Sequence, residues 1–85
     1  MKHRASRKFW THYRQLPGEM QKLADKNFEL LKSDPRHPSL QFKRVGRMWL
    51  ARVGAHYRAL AIEEGSDLVW FWIGTHAEYN RIIKY

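Results

Sequence analysis

The fold is decided by residues 40–73, LQFKRVGRMWLARVGAHYRALAIEEGSDLVWFWI. Apolar and polar side chains alternate along most of this stretch, which is the pattern of half-buried β-strands. Short segments with glycine separate the runs, and connections this short make neighbouring strands antiparallel. The pattern predicts four strands, at residues 40–45, 48–53, 57–63 and 68–73. The last is apolar on both faces and is therefore predicted to be central or covered.

Two predicted helices precede these strands. Apolar residues recur every three or four positions over residues 5–16, and again over residues 20–31. Pro17-Gly18 separates the two segments, and proline suits the first turn of the second helix. A loop with two prolines, residues 33–39, ends that helix. The two helices are therefore predicted to form an αα-hairpin with a very short turn.

A capping box follows the last predicted strand. Thr75 and Glu78 are three residues apart, which predicts the start of a short C-terminal helix over residues 76–83. The order of elements predicts an α+β fold, in which the helices, an N-terminal αα-hairpin and the short C-terminal helix, pack on one face of a four-stranded antiparallel sheet. The other face is expected to be partly open. With 85 residues, the chain has room for one such domain, residues 1–85.

Composition excludes several classes of protein. The chain has no cysteine, which excludes disulfides, a Cys-based zinc site and a thiol nucleophile. Metal-ligand spacings and phosphate-binding glycine loops are also absent from the sequence. The longest apolar run, residues 68–73, is far shorter than the roughly 20 residues of a membrane helix. No apolar segment follows the basic N-terminus, so we expect a cytoplasmic protein with no secretory signal and no membrane partner.

The positive charge is concentrated in two blocks. The sequence carries 16 Lys and Arg residues against 8 Asp and Glu, a net charge of +8. Residues 1–18 hold five of the basic residues and residues 36–58 hold six, and neither block holds an acid. Such blocks predict a positive face for a polyanion, through contacts to phosphates that carry no sequence information. A solubilising surface and an acidic protein partner are the alternatives.

Arg58 is a candidate for binding phosphate. Alternation places Arg58 on one face with Leu60, and places Ala59 on the opposite face, where a small side chain suits close packing of a helix. Arg58 is therefore predicted on the open face, where a guanidinium group can hold a phosphate by two hydrogen bonds. The alternative is an ion pair at the rim of the sheet with Glu63, Glu64 or Glu78.

The C-terminal helix supplies two further candidates. His76 opens the helix at the end of the last strand, where it can deliver a proton to a leaving alkoxide or have no role beyond the helix. Tyr79 lies three residues later, where it can stack on a base, hydrogen-bond a phosphate, or pack the helix onto the sheet. Alternation also predicts that Trp70 and Trp72 share one face of the sheet.

Three stretches carry a resemblance to a known family: HPSLQFKRV (37–45), WLARVGAHYRALAI (49–62) and VWFWIGTHAEYNRII (69–83). Together with the order of elements, they resemble the RelE/ParE toxin superfamily of bacterial toxin–antitoxin systems. The resemblance implies a compact α+β toxin and a cognate acidic antitoxin that wraps it. Many RelE-like members cleave mRNA on the ribosome, without a metal or other cofactor, whereas ParE-like members inhibit DNA gyrase.

The resemblance also implies roles for individual residues. Arg58 matches the strand arginine that contacts the scissile phosphate, His76 matches the proton donor, and Tyr79 lies near an aromatic residue of the family's C-terminal helix. These three are the candidate catalytic residues. The candidate RNA-binding residues are Lys43, Arg44, Arg47, Arg52, His37 and His56. The general base is left open among Arg52, His56 and His37.

Two features depart from the family pattern. Without gaps, Trp49 and Ala51 stand where RelE-like ribonucleases carry lysines, and only residues 1–4 remain for the strand that usually precedes the first helix. Two hypotheses follow. The first, in the favoured RelE-like branch, is a ribosome-dependent mRNA endonuclease that inhibits translation. The second is a non-catalytic toxin that inhibits DNA gyrase, or a binding-only member. In both, an acidic, partly disordered antitoxin is expected to cover the open face.

Overall fold

The computed structural model describes residues 2–83. Within that range the strands and helices, in chain order, are β1 (Lys2–Ala5), α1 (Arg7–Tyr13), α2 (Gly18–Ser33), β2 (Lys43–Val45), β3 (Met48–Val53), β4 (Tyr57–Glu64), β5 (Asp67–Thr75) and α3 (His76–Ile83). A 3₁₀ turn at Pro38–Leu40 precedes β2. None of the helices in the described range is both long enough and apolar enough to cross a membrane.

The sheet has five strands in the order β1-β5-β4-β3-β2. Three neighbouring pairs are antiparallel, as predicted, but β1 pairs with β5 in parallel, from Lys2 beside Asp67 to Ala5 beside Trp70. The prediction of a four-stranded antiparallel sheet is therefore wrong in strand number and in the direction of one edge strand. A parallel strand is joined to its partner by a long crossover, so the four residues of β1 carry no local turn signal.

The first helix is shorter than the predicted residues 5–16. Ser6 caps α1, because its Oγ accepts a hydrogen bond from the backbone N–H of Phe9 at 3.3 Å. The helix ends before the apolar pattern does, and the chain reaches α2 through a turn in which Leu16 is still buried. The amphipathic pattern therefore placed the buried Phe9 and Leu16 correctly and overestimated the length of the helix.

The larger core lies between the sheet and the helix pair α1 and α2. Phe9 of α1 and Leu31 of α2 are buried there with Ala59 and Ala61 of β4. Alanine side chains let the helices approach the sheet closely. The predicted placement of the alanine face of β4 under the helices is confirmed.

α3 lies on the opposite face of the sheet from α1 and α2. Its Tyr79 packs against Leu50, Leu60 and Trp72, which form a second buried cluster. The prediction that the helices share one face is therefore wrong for α3. Because α3 follows β5 with no intervening residue, the chain folds back over the nearest strands and covers part of the face that was predicted to be open.

A β-bulge in β5 places the two central tryptophans on opposite faces. Leu60 pairs with Trp72, and the next residue, Ala61, pairs with Trp70, so Phe71 is an extra residue in the ladder. Trp70 consequently belongs to the core under α1 and α2, whereas Trp72 belongs to the cluster under α3. The prediction that Trp70 and Trp72 share a face is wrong, because strict alternation does not survive a bulge.

Candidate functional site

Two arginines stand side by side on the face of the sheet that carries α3. Arg52 of β3 and Arg58 of β4 are direct cross-strand partners in the antiparallel register. Arg58 lies on the same face as Leu60, which belongs to the cluster under α3, as predicted. Like charges directly opposite each other on neighbouring strands repel and destabilise the sheet locally. Such a pair is suited to an anion that contacts both guanidinium groups.

Local hydrogen bonds hold both guanidinium groups near the β3–β4 turn. Arg58 Nη1 donates to the backbone oxygen of Tyr57 at 2.8 Å and to that of Ala55 at 3.4 Å. Arg52 Nε donates to the backbone oxygen of Gly54 at 3.1 Å. These bonds use only part of the five N–H donors of each guanidinium group, so both retain donors for a bound anion.

No carboxylate pairs with these two arginines in the part of the chain that the structure describes. The ion pairs of residues 2–83 include neither Arg52 nor Arg58. The three glutamates considered as partners of Arg58 bond elsewhere: Glu63 with Trp49 and Arg44, Glu64 with Arg4, and Glu78 with Thr75. The arginine pair therefore presents two positive charges that this range of the protein does not neutralise.

Burial lowers the pKa of Arg58, and the neighbouring charge of Arg52 lowers it further, whereas Tyr79 acts in the opposite direction. An arginine pKa lies so far above neutrality that Arg58 stays charged in spite of this shift. The shift therefore reflects first the cost of burying the Arg58 cation and second its repulsion by Arg52. A phosphate bound between Arg52 and Arg58 would reduce that cost.

Tyr79 lies beneath the site rather than on its surface. Only 7% of the residue is exposed, and its ring packs against Leu60 and Trp72. Leu60, against which Tyr79 packs, lies on the same face of β4 as Arg58. Of the roles considered for Tyr79, the structure shows the packing of α3 onto the sheet, and the buried ring offers no open face for stacking a base.

His56 and His76 meet at the same end of the sheet as the arginine pair. The backbone N–H of His76 donates to the backbone oxygen of His56 at 2.7 Å, which ties the β3–β4 turn to the start of α3. Both residues are exposed, and the His76 ring lies 6.3 Å from the ring of Tyr79. Two histidines, whose side chains are the best suited to acid–base catalysis, therefore lie at the end of the sheet that carries Arg58.

The predicted capping box fixes the start of α3. The backbone N–H and the hydroxyl of Thr75 both donate to Glu78 Oε1 at 2.9 Å, and the Glu78 N–H donates to Thr75 Oγ1 at 3.2 Å. The backbone bond from Thr75, followed by the bond from its hydroxyl, lowers the pKa of Glu78. Glu78 is therefore an ionised cap, and His76 is held in the first turn of the helix.

The remaining basic candidates are dispersed. Lys43 is exposed on the edge strand β2, on the face that carries Arg52. Arg47 lies in the β2–β3 turn, at the opposite end of β3 from Arg52 and about 17 Å along the strand. Arg44 points to the other face, where its Nη1 lies 3.9 Å from Glu63 Oε1. Of these three residues, only Lys43 shares the surface of the arginine pair.

His37 has a local structural role. It precedes the 3₁₀ turn, and its Nδ1 accepts a hydrogen bond from the backbone N–H of Ser39 at 3.2 Å. Among the groups left open as general base, Arg52 is a permanent cation and His37 is engaged with Ser39. This leaves His56 as the histidine that adjoins both His76 and the arginine pair.

The two positions of β3 that depart from the family pattern, Trp49 and Ala51, do not face the site. Trp49 and Ala51 belong to the core under α1 and α2. Lysines at these positions of β3 would point into that core, so the presence of Trp49 and Ala51 removes no charge from the surface around Arg58. Arg52 is the residue of β3 that presents a cation there.

Gly74 is a position that the sequence reasoning missed. It lies directly opposite Arg58 on β5. A Cβ atom on Gly74 would lie 2.5 Å from Trp72 Cζ2 and 3.0 Å from Glu78 Oε1, so only glycine lets the indole lie over this part of the backbone. A glycine inside an otherwise apolar strand is the sequence signal for such a close approach.

Comparison with known families and curated sequences gives one match. The model of the ParE-like toxin domain family matches residues 19–81, which include β2 to β5 and nearly all of α2 and α3. No curated protein sequence matches the chain.

Several solved toxin structures share this fold. The YoeB/ParE toxin from Agrobacterium tumefaciens is 18% identical, with a TM-score of 0.67 over 89% of this chain and 99% of that one. RelE in the RelB–RelE antitoxin–toxin complex from Methanococcus jannaschii is 14% identical, with a TM-score of 0.72 over 93% and 96%. YafQ from E. coli is 13% identical, with a TM-score of 0.73 over 92% and 96%.

Proposed function

The chain belongs to the RelE/ParE superfamily of type II toxin–antitoxin toxins, and from this premise we propose that it is a ribosome-dependent mRNA endonuclease. One observation carries the proposal. Arg52 and Arg58 share one face of the sheet, have no carboxylate partner within residues 2–83, and lie beside the exposed His56 and His76. An RNA phosphate supplies the anion that this arrangement lacks, and the imidazoles supply acid–base chemistry.

In the proposed reaction the 2′-hydroxyl of the RNA attacks the adjacent phosphorus. His56 accepts the proton of the 2′-hydroxyl, a bond forms between O2′ and phosphorus, and the bond between phosphorus and O5′ breaks. His76 donates a proton to the departing 5′-oxygen, which leaves a 2′,3′-cyclic phosphate and a 5′-hydroxyl. Arg58 and Arg52 hold the phosphate oxygens, whose negative charge increases in the transition state.

The requirement for the ribosome follows from the shape of the site. The arginine pair and the two histidines lie on an open surface, and the ring of Tyr79, which could otherwise orient a base, is buried. We assign the positioning of the mRNA to the ribosome, as the resemblance to RelE-like toxins implies. Correct placement of the reacting groups contributes as much to such a reaction as the acid and base do.

Inhibition of DNA gyrase without RNA cleavage is the second candidate function. The family match favours it, because the matching model describes a ParE-like toxin domain. The buried position of Tyr79 also favours it, since this side chain cannot stack on a base as long as α3 stays in place. In that case Arg52 and Arg58 would contact an acidic surface of the target rather than a scissile phosphate.

The proposed physiological partner is an acidic antitoxin. One structure similar to this chain is a toxin–antitoxin complex, that of RelE with RelB. In the present chain Lys43, Arg52 and Arg58 face the same side, and antitoxin carboxylates would neutralise the charges that the toxin leaves unpaired. A disordered acidic segment would become ordered on binding and occupy the place proposed for the RNA phosphate.

Primer-extension mapping of an mRNA in a translating extract tests the proposed function. Wild-type protein is compared with His76→Ala and Arg58→Ala. Arg44→Ala is the matched control, because it removes an arginine from the opposite face of the sheet. We expect cuts within codons that require translating ribosomes, disappear in His76→Ala and persist in Arg44→Ala.

Intact mRNA in the presence of folded wild-type protein would contradict the nuclease proposal. A gyrase supercoiling assay on the same preparation would then test the second candidate. Inhibition of supercoiling that is lost in Arg58→Ala and retained in Arg44→Ala would identify the arginine pair as a binding surface for gyrase.

A further inference from the structure

The outer side of α1 carries an aromatic ring between two arginines. Arg7, Trp10 and Arg14 are spaced three and four residues apart, so their side chains are neighbours on one stripe of the helix surface. Arg14 is the C-cap residue of α1, and because its backbone angles are helical, its side chain continues the same stripe. All three are exposed, Trp10 over 42% of its surface, whereas Phe9 is buried in the core under α1 and α2.

The indole of Trp10 is held by its neighbours although it is exposed. Its ring lies 5.3 Å from that of Phe9 and 5.1 Å from that of Tyr13, in edge-to-face geometry in both cases. The Tyr13 hydroxyl in turn donates to Asp25 Oδ1 at 2.8 Å, which anchors the ring of Tyr13 to α2. A ring restrained in this way loses little conformational freedom when a ligand stacks on it.

The stripe lies in a segment without acids. Residues 1–18 contain five basic residues and no Asp or Glu. Within residues 2–83, Arg7 and Arg14 take part in no ion pair. The Tyr13 hydroxyl engages the Asp25 carboxylate, which faces α1 from α2. The positive charge of the stripe is therefore available to an outside anion.

We propose that Arg7, Trp10 and Arg14 form a second RNA-binding surface, which holds single-stranded RNA with one base stacked on Trp10 and phosphates at the two arginines. Stacking on an exposed aromatic ring combined with cationic contacts to the backbone is how proteins bind single strands without reading sequence. The surface is distinct from the Arg52–Arg58 pair, because α1 and that pair lie on opposite faces of the sheet. It goes beyond the proposed function, since it concerns binding and not cleavage.

An acidic protein segment is the competing occupant of this surface. It would be attracted by the same arginines, but a carboxylate does not stack on an indole as a base does. The exposed and restrained ring of Trp10 therefore favours RNA. A variant that removes only the indole ring of Trp10 therefore distinguishes RNA binding from binding of an acidic protein segment.

Fluorescence anisotropy with a labelled single-stranded RNA provides the test. The RNA carries 2′-O-methyl groups, which remove the 2′-hydroxyl nucleophile and prevent cleavage by the proposed reaction. All proteins are prepared in an Arg52→Ala/Arg58→Ala background, which removes the first site. In this background Arg7→Ala/Arg14→Ala removes the flanking charges, and Trp10→Ala removes the ring.

The two variants should weaken binding in different ways. We expect Arg7→Ala/Arg14→Ala to bind roughly tenfold or more weakly, and the slope of log affinity against log salt to fall by about 1.4, or about 0.7 for each phosphate contact. Trp10→Ala should bind roughly 5- to 150-fold more weakly, the range for one stacked base, with the slope unchanged. Arg36→Ala, which removes an exposed arginine from the loop after α2, should bind as the background protein does.

Equal affinities of Arg7→Ala/Arg14→Ala and Arg36→Ala would overturn the proposal. Both arginines of the stripe are exposed, so this comparison holds even if Trp10→Ala fails to fold. Unchanged RNA binding together with weaker binding of the antitoxin would overturn it in favour of a protein partner. Ribosomes do not enter the measurement, so failure of the proposed cleavage and failure of this proposal are distinguishable.

Discussion

Replacing Arg58 by alanine separates the catalytic contribution of the arginine pair from its structural contribution. In the proposed reaction Arg58 is a cation that faces the charge developing on the phosphate. Its guanidinium group is held in advance by hydrogen bonds of 2.8 Å and 3.4 Å to backbone oxygens, so it need not be ordered in the transition state. Removal of one such donor slows the chemical step by about 10²- to 10³-fold, which is about 3–4 kcal/mol.

The same substitution should change the free energy of unfolding much less. Loss of Arg58 relieves its repulsion with Arg52, a gain of about 0.2–1 kcal/mol. It also removes the hydrogen bonds to the backbone oxygens, a loss of about 0.5–1.5 kcal/mol for a typical bond and less for a partly exposed one. These contributions oppose each other, so we expect a net change within about 1 kcal/mol and a shift of the unfolding midpoint of at most about 8 °C.

Single-turnover cleavage on programmed ribosomes and thermal unfolding of the same preparations measure the two effects. Arg44→Ala is the control, because its guanidinium lies on the opposite face in an exposed ion pair with Glu63, at 3.9 Å. It should cleave at the wild-type rate. Wild-type cleavage by Arg58→Ala would refute the catalytic role. A loss of cleavage accompanied by a stability loss of several kcal/mol would show that Arg58 is mainly structural.

Three further substitutions test the fold, two of them at residues beside the site. His3 Nδ1 accepts a hydrogen bond from Trp70 Nε1 at 3.1 Å, and burial lowers the pKa of His3, so the folded state favours the neutral ring. The free energy of unfolding should therefore fall as the pH drops below about 6.5, and urea denaturation of His3→Gln should show a flatter profile; an unchanged profile would contradict this. Gly74→Ala should lower the free energy of unfolding by roughly 1–3 kcal/mol, because the new Cβ would meet Trp72. Gly18→Ala is the control: its Cβ meets nothing within 4 Å, so it should unfold at nearly the same urea concentration as the wild type. Thr75→Ala should lower the free energy of unfolding by about 0.5–2 kcal/mol at neutral pH, because it removes the cap of α3. Because the pKa of Glu78 is lowered, the stability that its ionised carboxylate contributes is present above the ordinary carboxyl pKa and lost in acid. If Thr75→Ala lowered the free energy of unfolding equally at neutral and at acidic pH, this would count against the cap.

The elements that the sequence predicts correctly are those determined by local pattern. Alternation located the strands from β2 to β5 within a few residues and placed Arg58 on the face opposite Ala59. The spacing of Thr75 and Glu78 located the start of α3, because a capping box is a contact between residues three apart. In each case the interaction that decides the structure joins residues that are close in the chain.

The features that the sequence did not predict depend on contacts between distant segments. β1 is a strand only because β5 offers it a free edge, and nothing within its four residues indicates that partner. The bulge at Phe71 reverses which residues of β5 face each side of the sheet. Because β5 is apolar on both faces, the alternation of apolar and polar residues gives no sign of this reversal. The juxtaposition of Arg52 and Arg58 depends on the register of the hairpin, which the turn between β3 and β4 sets.

Under the proposed function, the arginine pair gives a physical reason for cleavage and inhibition to depend on the same residues. Two cations held opposite each other repel, and an anion that bridges Arg52 and Arg58 relieves this repulsion. In the proposed function an RNA phosphate and an antitoxin carboxylate both meet this description. Substitutions of either arginine should therefore weaken cleavage and antitoxin binding together, whereas substitutions of the stripe on α1 should weaken RNA binding alone. An antitoxin that covers the pair then inhibits the toxin by occupying the phosphate site, with no need to distort the fold.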